Sequence, residues 1–343
     1  MIIKRFANFL NESVNTVKKL VAVYNPDNEV FDHMGQNKKE NKLEQFFHVV
    51  KDEPAYKKYF DETRGPVICY CKGGEEQINF MESVQQYNPY GIYNNYLLCE
   101  IGRTLTLKRM MSDGFKYTPK TLFNMEEAKA ELELPVIGKA ANSYDSKGVE
   151  KLDTWEQAKS SDIKFDLFQQ AINIAHEYRV VIFISKTGKK IGVLNVFEKK
   201  PKNDKAKSLH EALTDKQLKN NDNTKWYWHQ LNRNEKNEDF YKAISEIISY
   251  LMTTNPGMNF TGLDLTEDKD GKIWYIEHNM LPAHLATQSI MLYKAIYEDY
   301  YLKPLDRPTI THMRALATTY VERMNRKMPF TAEKEKDIKI KWL

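Results

Sequence analysis

The sequence predicts a mixed α+β protein in which several lobes of strands and helices surround a cleft. Three observations indicate this fold class. Strand patterns alternate with helix patterns, the alternation lacks the regular repeat of parallel βαβ units, and 343 residues exceed one minimal domain. Hydrophobic residues make up 41% and charged residues 29% of the chain, which is ordinary for a globular protein with an apolar core.

Composition argues against several classes of protein. No apolar run reaches the length of a membrane-spanning helix, and Lys4, Arg5, Asn8 and Asn11 interrupt the N-terminus too often for a secretory signal. With 51 basic and 47 acidic residues, the net charge of +4 does not by itself indicate a nucleic-acid partner. The three cysteines lack zinc or disulfide spacing, so free thiols in a reducing cytoplasm are predicted.

Five segments are predicted along the chain. They are a leader or docking helix, a small α/β lobe, a lobe with a phosphate loop, a lobe with a metal site, and a C-terminal helix and tail. Their boundaries are 1–17, 18–95, 96–170, 171–310 and 311–343.

In the first half of the chain, turn-forming residues bound the strand patterns, and residues typical of helix termini mark where the helix patterns end. Asn-Pro-Asp-Asn follows the first strand, a glycine pair ends the second, and Gly114 terminates a helix that begins near Leu97. The predicted strands are KKLVAVY (18–24), PVICYCKGG (66–74) and LPVIGKAA (134–141), with an extended YTPKTLF (117–123) and a helix MEEAKAEL (125–132).

The second half is richer in β-branched and aromatic runs. Strands are predicted at DLFQQAI (166–172), YRVVIFIS (178–185) and IGVLNVFEKK (191–200), followed by a helix at FYKAISEIISYLMTT (240–254). NFTGLDLTED and KIWYIEHNM form a predicted strand pair across the turn 269–272. The tail from Leu285 to Met328 has helical spacing.

The strand pair carries the strongest chemical pattern. Glu277 and Asn279 are two residues apart and share one face of a strand, and the hairpin brings Asp264 alongside them. Acidic residues within apolar strands are costly unless they are paired or bound to a metal. Three oxygen ligands without Cys or His predict a hard-cation site, suited to Mg²⁺ held together with nucleotide phosphates.

Two weaker patterns precede this hairpin. Lys139 ends a buried strand, and the small polar loop that follows it offers backbone N–H groups to phosphate, although the loop is not a Walker P-loop. Glu177 and Arg179 lie on the strand after a short connection, where Glu177 could accept from ribose hydroxyls and Arg179 could pair with a phosphate or carboxylate. The alternative is an exposed ion pair on a strand edge.

Taken in order, these motifs resemble the ATP-grasp superfamily, especially the branch of the ribosomal-protein glutamate ligase and D-alanine–D-alanine ligase. The resemblance covers residues 94–300 and implies an ATP-grasp fold, in which a small α/β lobe and two α+β lobes enclose an ATP cleft. The residues that carry it are Asn94, Arg103, Thr106, Lys139, Gln169, Gln170, Glu177, Arg179, Lys199, Asp264, Glu277, Asn279 and Pro282.

The resemblance implies an ATP-dependent carboxylate–amine ligase that forms an acyl phosphate. Arg179 and Lys199 would be catalytic, and Asp264, Glu277 and Asn279 would hold Mg²⁺, with Mn²⁺ as an alternative metal. ATP would contact Arg103, Lys139, Ser143, Ser146, Gly148, Gln169, Gln170, Ala171, Ile172 and Glu177. The substrates implied are an amino acid, a peptide or a protein.

The sequence departs from the family pattern at several positions. Arg103 stands where relatives have Lys, Gln170 replaces an acidic hinge residue, and Lys199 replaces an Arg. The last motif reads EHNMLPAH, in which His278 and His284 are interpreted as satisfied polar residues. These departures keep two alternatives open: a non-catalytic virion or binding protein on an ATP-grasp scaffold, and a phosphate-transferring enzyme that makes no amide.

Three further segments give separate hypotheses. FANFLNES resembles the leader of internal capsid proteins of large tailed phages, and Glu12 fits the site at which such leaders are cut. This resemblance implies a phage-encoded protein in the host cytoplasm or the virion. The alternative is an ordinary docking helix. The insertion 200–238 is interpreted as a mostly solvated segment, with a peptide or polymeric acceptor, or nucleic acid, as alternative partners. Apolar residues in helix 286–301 suggest a homo-oligomer contact.

Overall fold

Three β-sheets and the helices that cover them form the described part of this computed structural model. The structure describes residues 19–26, 47–69, 75–95, 103–140, 148–186, 190–202, 226–255, 257–279, 286–301 and 339–342. The α+β prediction is therefore confirmed for these residues. No helix within these ranges combines the length and apolar character needed to cross a bilayer. The predicted leader, residues 1–17, lies outside them.

The N-terminal lobe is a small parallel sheet in the order β2-β1-β3-β4. One helix packs on it through Tyr24, whose ring stacks on Phe80 with centroids 3.7 Å apart. The sequence did not predict β2 or β4, because two- and three-residue strands show no periodicity. The elements are β1 (Ala22–Tyr24), β2 (His48–Val50), α1 (Glu53–Thr63), β3 (Val67–Cys69), α2 (Glu75–Tyr87) and β4 (Ile92–Tyr93).

The middle lobe is a four-stranded antiparallel sheet in the order β5-β8-β6-β7. Helix α3 begins at Arg103 and ends before Gly114, whose φ of +64° is the left-handed conformation expected after a helix. The elements are α3 (Arg103–Ser112), β5 (Thr121–Leu122), α4 (Met125–Glu131), β6 (Val136–Lys139), β7 (Val149–Leu152), α5 (Trp155–Ser160) and β8 (Leu167–Gln170).

The large sheet has six described strands, in the order β11-β10-β9-β12-β13 with β14 beside β10. The predicted hairpin is confirmed, since β12 and β13 pair antiparallel across the turn at 269–272. The elements are β9 (Ile174–Ile184), β10 (Lys190–Pro201), β11 (Trp226–Gln230), a 3₁₀ turn (Arg233–Glu235), α6 (Glu238–Thr254), β12 (Phe260–Asp268), β13 (Ile273–Asn279), α7 (Ala286–Tyr301) and β14 (Lys339–Trp342).

The central strand β9 divides the core into two layers. Tyr178, Val180 and Ile182 lie in the cluster beneath α6, whereas Val181 and Phe183 lie in the cluster shared with α7 and the N-terminal sheet. Alternate residues of a strand point to opposite faces, so one face of β9 packs against the α6 cluster and the other is apolar only at its C-terminal end. The polar end of that second face carries the candidate site.

Two further predictions concern segments that the structure describes only in part. The Trp-Tyr-Trp end of the insertion forms β11, which pairs with Phe197–Pro201 of β10, since aromatic residues favour strands once a partner edge exists. Residues 203–225 of the insertion lie outside the described residues, so its mostly solvated character stays a prediction. The apolar face of α7 is used in part within the chain, since Tyr293 and Ile296 are buried in its own core; a homo-oligomer contact through this helix stays a prediction.

A reciprocal asparagine pair joins the N-terminal lobe to the large sheet. Asn94 has a left-handed φ of +52°, and its Oδ1 accepts from the backbone N–H of Asn259 at 3.0 Å and of Phe260 at 2.7 Å. Asn259 Oδ1 in turn accepts from the backbone N–H of Asn94 at 3.2 Å. Both side chains are buried, so each bond replaces water.

We expect Asn94→Ala to lower the free energy of unfolding by about 2–3 kcal/mol, because two buried N–H groups lose their acceptor and alanine tolerates the left-handed conformation poorly. Asn94→Asp keeps the acceptor and should lose less. Urea unfolding followed by circular dichroism measures both variants. Equal stability of Asn94→Ala and the wild-type protein would show that this pair contributes nothing.

Candidate active site

The polar end of the large sheet gathers charged side chains from neighbouring strands. Strand register sets Arg179 of β9 opposite Asp264 of β12, and Asp264 opposite Glu277 of β13. Residues directly opposite one another in an antiparallel pair project to the same face. Glu177 lies two residues before Arg179 and so shares that face, which is opposite to the α6 side where Tyr178 is buried.

Arg179 and Asp264 form a two-pronged ion pair. Arg179 Nε donates to Asp264 Oδ1 at 2.7 Å, and its Nη2 donates to Oδ2 at 2.8 Å. The side chains are 21% and 22% exposed, so the pair is partly shielded from water and open on one side. The pairing explains how an aspartate is tolerated on an otherwise apolar strand. It joins residues 85 positions apart, which no local pattern could reveal.

A second ion pair lies next to the first on the same face. Lys199 Nζ is 3.3 Å from Glu177 Oε2, and the lysine side chain is only 9% exposed. Lys199 lies on β10, directly opposite Trp228 of β11. The interpretation of Glu177 and Arg179 as an exposed pair on a strand edge is therefore wrong, because β9 is a central strand and each residue contacts a different neighbouring strand.

Trp228 is the residue of this face that the sequence did not assign to the site. Its ring centroid lies 5.4 Å from the guanidinium carbon of Arg179, and it is 37% exposed. A cation over the face of a tryptophan is attracted by the ring quadrupole. Strand β11 places the indole there, whereas the sequence showed only aromatic residues at the end of a polar insertion.

Glu277 and Asn279 occupy the end of β13 and are partly exposed. The backbone carbonyl of Asn279 accepts from Thr261 Oγ1 at 2.8 Å, which fixes the strand end. His278, between them, points to the other side: it is partly buried, its Nδ1 is 2.7 Å from the Tyr275 hydroxyl, and desolvation lowers its pKa to about 4. His278 is therefore a neutral, hydrogen-bonded side chain, in line with its interpretation as a satisfied polar residue.

The donor set on this face suits a hard cation in its chemistry. Asp264, Glu277 and Asn279 offer only carboxylate and amide oxygens, which Mg²⁺ prefers to nitrogen or sulfur. The described residues contain no group of three or more His, Cys, Asp or Glu side chains arranged to hold a metal. The third predicted ligand, Asn279, is an asparagine and so falls outside that set of residue types. Both oxygens of Asp264 are bonded to Arg179 in this structure.

A second group of predicted residues lies on the middle sheet. Lys139 is 5% exposed, and its Nζ donates to Gln169 Oε1 at 2.6 Å. Gln169 Nε2 donates onward to Thr121 Oγ1 at 2.9 Å. The predicted phosphate lysine is thus held by the predicted hinge residue, which fixes the ammonium group at the end of β6. A buried ammonium group, which can only donate hydrogen bonds, is suited to an anionic ligand.

The remaining predicted residues border the middle sheet. The Gly148 carbonyl accepts from the Ala140 backbone N–H at 2.8 Å, which closes the base of the segment 141–147; that segment, with Ser143 and Ser146, lies outside the described residues. Gln170 is exposed, and Ala171 and Ile172 follow it as the connection from β8 to β9. Arg103 begins α3, but its side chain is not among those described.

Comparison with known proteins gives a fold. No protein-family model matches the chain, and no curated protein matches it in sequence. The chain is similar to the ATP-grasp ligase PsnB solved with minimal precursor, Mg and ADP, at 14% identity over 83% of this chain and 98% of that one, with a TM-score of 0.50.

Two further solved structures are similar. N5-carboxyaminoimidazole ribonucleotide synthetase from Thermotoga maritima is 12% identical over 76% of this chain and 68% of that one, with a TM-score of 0.49. The VanG D-Ala:D-Ser ligase from Enterococcus faecalis is 14% identical over 82% and 99%, with a TM-score of 0.49. At such identities a likeness shows the fold alone. The chain has an ATP-grasp fold, as its motifs predicted.

Proposed function

We propose that this chain is an ATP-dependent carboxylate–amine ligase that acts through an acyl phosphate, with an amino acid, peptide or protein as substrate. One observation carries the proposal: two cations and three carboxylates lie side by side on one face of the large sheet. The cations are Arg179 and Lys199, and the carboxylates are Glu177, Asp264 and Glu277. Carboxylates at one end of the face can hold a metal, and cations beside them can bind the anions that react. The solved neighbour with a TM-score of 0.50 is a ligase bound to Mg and ADP, which supports this assignment.

The metal position is assigned to β12 and β13. Asp264, Glu277 and Asn279 would hold Mg²⁺, which when bound neutralises nucleotide phosphate charge. Since phosphoryl transfer depends mainly on positioning and charge neutralisation, fixed strand residues are well suited to this task.

The nucleotide-binding position is assigned to the middle sheet and the large sheet, which the connection 171–173 joins. Lys139 would bind phosphate oxygens from β6, and Arg103 would add a second cation from the start of α3. Gln170, Ala171 and Ile172 would meet the adenine edge through their backbone, and Glu177 would accept from ribose hydroxyls. Ser143, Ser146 and Gly148 would cover the phosphates with backbone N–H groups.

The reacting carboxylate is assigned to Arg179 and Lys199. A guanidinium matches the two oxygens of a carboxylate or phosphoryl group, and Lys199 adds a compact charge beside it. Both cations have carboxylate partners in the protein, so their positions are fixed before the substrate arrives. Charge that develops on the transferred phosphoryl group would thus meet preorganised cations.

One observation favours a second candidate, a non-catalytic ATP-grasp-like virion or binding protein. Asp264, which the ligase needs for its metal, is bonded to Arg179 through both oxygens. A scaffold that had lost its metal would keep such a pair for stability alone. The two candidates differ in whether a divalent cation and a carboxylate change the rate of ADP formation.

The test measures ADP release with a coupled enzyme assay. Amino acids and short peptides serve as the carboxylate substrates, and hydroxylamine serves as the amine. A ligase forms ADP only when Mg²⁺ and an accepted carboxylate are present, and the product is a hydroxamate. ADP release with a carboxylate and no amine indicates a phosphate-transferring enzyme. ATP binding with no turnover on any panel member contradicts the ligase and favours the binding protein.

A further inference from the structure

Arg179 has contacts of two different kinds on this face. Asp264 binds its Nε and Nη2 through charge, and the indole of Trp228 lies 5.4 Å from its guanidinium carbon. The first contact uses the donors that point along the plane of the guanidinium group. The second uses the ring quadrupole and leaves those donors uncommitted.

The two contacts would respond differently to a metal ion. If Asp264 coordinates a divalent cation, as the proposed function requires, the carboxylate has less charge to share and the cation repels the guanidinium group. Arg179 then loses its principal anion. Trp228 carries no charge and would keep its contact when the metal binds.

Strand pairing fixes the position of the Trp228 backbone. It lies opposite Lys199 in the β10–β11 ladder, so backbone hydrogen bonds and not a loop place its Cα. Its neighbour Tyr227 lies opposite Lys200, projects to the other face of the sheet, and is more exposed, at 44% against 37%. The chain thus supplies a matched control one residue away.

We propose that Trp228 is a positioning residue for Arg179: its indole holds the guanidinium group on the reactive face when a divalent cation takes over Asp264, so that Arg179 can bind the substrate carboxylate. This inference rests on the proposed function.

The experiment observes Arg179 directly, by the ¹⁵N–¹H signal of its Nε in arginine-labelled protein, assigned by its loss in Arg179→Lys. On addition of Mg²⁺ and ADP, we expect the wild-type signal to shift and remain sharp. In Trp228→Ala the same addition should broaden it or raise its hydrogen-exchange rate by about tenfold, the order of a lost cation–π contact. Trp228→Phe should retain the wild-type response.

Two controls separate positioning from simple packing. Trp228→Leu keeps apolar bulk without a π system and should behave like Trp228→Ala, whereas Tyr227→Ala should behave like the wild-type protein. Where the ligase assay gives turnover, Trp228→Ala should raise KM for the carboxylate more than KM for ATP.

The outcomes also separate this inference from the proposed function. A wild-type signal that shifts with Mg²⁺ and ADP, together with an identical response in Trp228→Ala, overturns the role of Trp228 alone. A rescue by Leu as good as that by Phe overturns it as well. A wild-type signal that does not respond to Mg²⁺ and ADP overturns the metal role of Asp264, and the inference fails with it.

Discussion

Glu277→Gln should form ADP at least about a hundredfold more slowly than the wild-type protein, the order of effect of removing one charged group from a preorganised site. Glu277 lies opposite Asp264 on β13, on the same face as the Arg179–Asp264 ion pair, and is partly exposed. Glutamine keeps the size and one oxygen but removes the charge that attracts a divalent cation.

The matched control for Glu277 is Asp270→Asn on the same hairpin. Asp270 lies in the exposed turn that joins β12 to β13, so its loss removes the same charge far from the reactive face. Both variants are assayed for Mg²⁺-dependent ADP formation beside the wild-type protein, with thermal unfolding to verify the fold. Equal loss in both variants, or none in Glu277→Gln, would remove Glu277 from the site.

Lys139→Met should weaken ATP binding by about ten- to a hundredfold, since a charge-assisted contact in a shielded site is worth about 1.5–3 kcal/mol. The Lys139 side chain is 5% exposed, and Gln169 fixes its ammonium group at 2.6 Å. Methionine keeps the length and apolar stem of the side chain but offers no donor. The affinity for ADP should fall by the same factor, provided that Lys139 contacts phosphates that ATP and ADP share.

Lys151→Met supplies the control for Lys139. Lys151 lies on the neighbouring strand β7 of the same sheet, paired with Ile137, and its side chain is 39% exposed beside Asp153. Calorimetric titration with ATP and Mg²⁺ should give wild-type affinity for this variant. If the two lysine variants bind ATP equally, Lys139 has only a structural role through Gln169.

The sequence predicted the hairpin well because its information is local. Apolar residues dominate both sides of the turn at 269–272, and the two-residue spacing of Glu277 and Asn279 determines that they share a face. The same holds for Lys139, whose place at the end of β6 follows from the apolar run before it. The order of such local motifs was sufficient to predict the ATP-grasp fold.

Other features depend on contacts between strands that are distant in sequence, and these could not be predicted from local patterns. Nothing near Arg179 in the sequence indicates Asp264 as its partner, and Trp228 acquires a role only because β11 pairs with β10. The buried Lys139–Gln169 bond likewise joins residues that were predicted separately, as phosphate ligand and hinge. Sequence patterns give the face of each strand, but register between strands decides which side chains meet.

The central claim is that the charged face of the large sheet binds ATP together with a divalent cation. Calorimetric titration of the wild-type protein with ATP, in Mg²⁺ and in EDTA, tests it most directly, with Glu277→Gln titrated in parallel. We predict that Mg²⁺ strengthens ATP binding to the wild-type protein and that Glu277→Gln loses this gain while it retains the weaker, metal-free binding. ATP affinity that is the same in Mg²⁺ and in EDTA, or no ATP binding at all, would contradict the account.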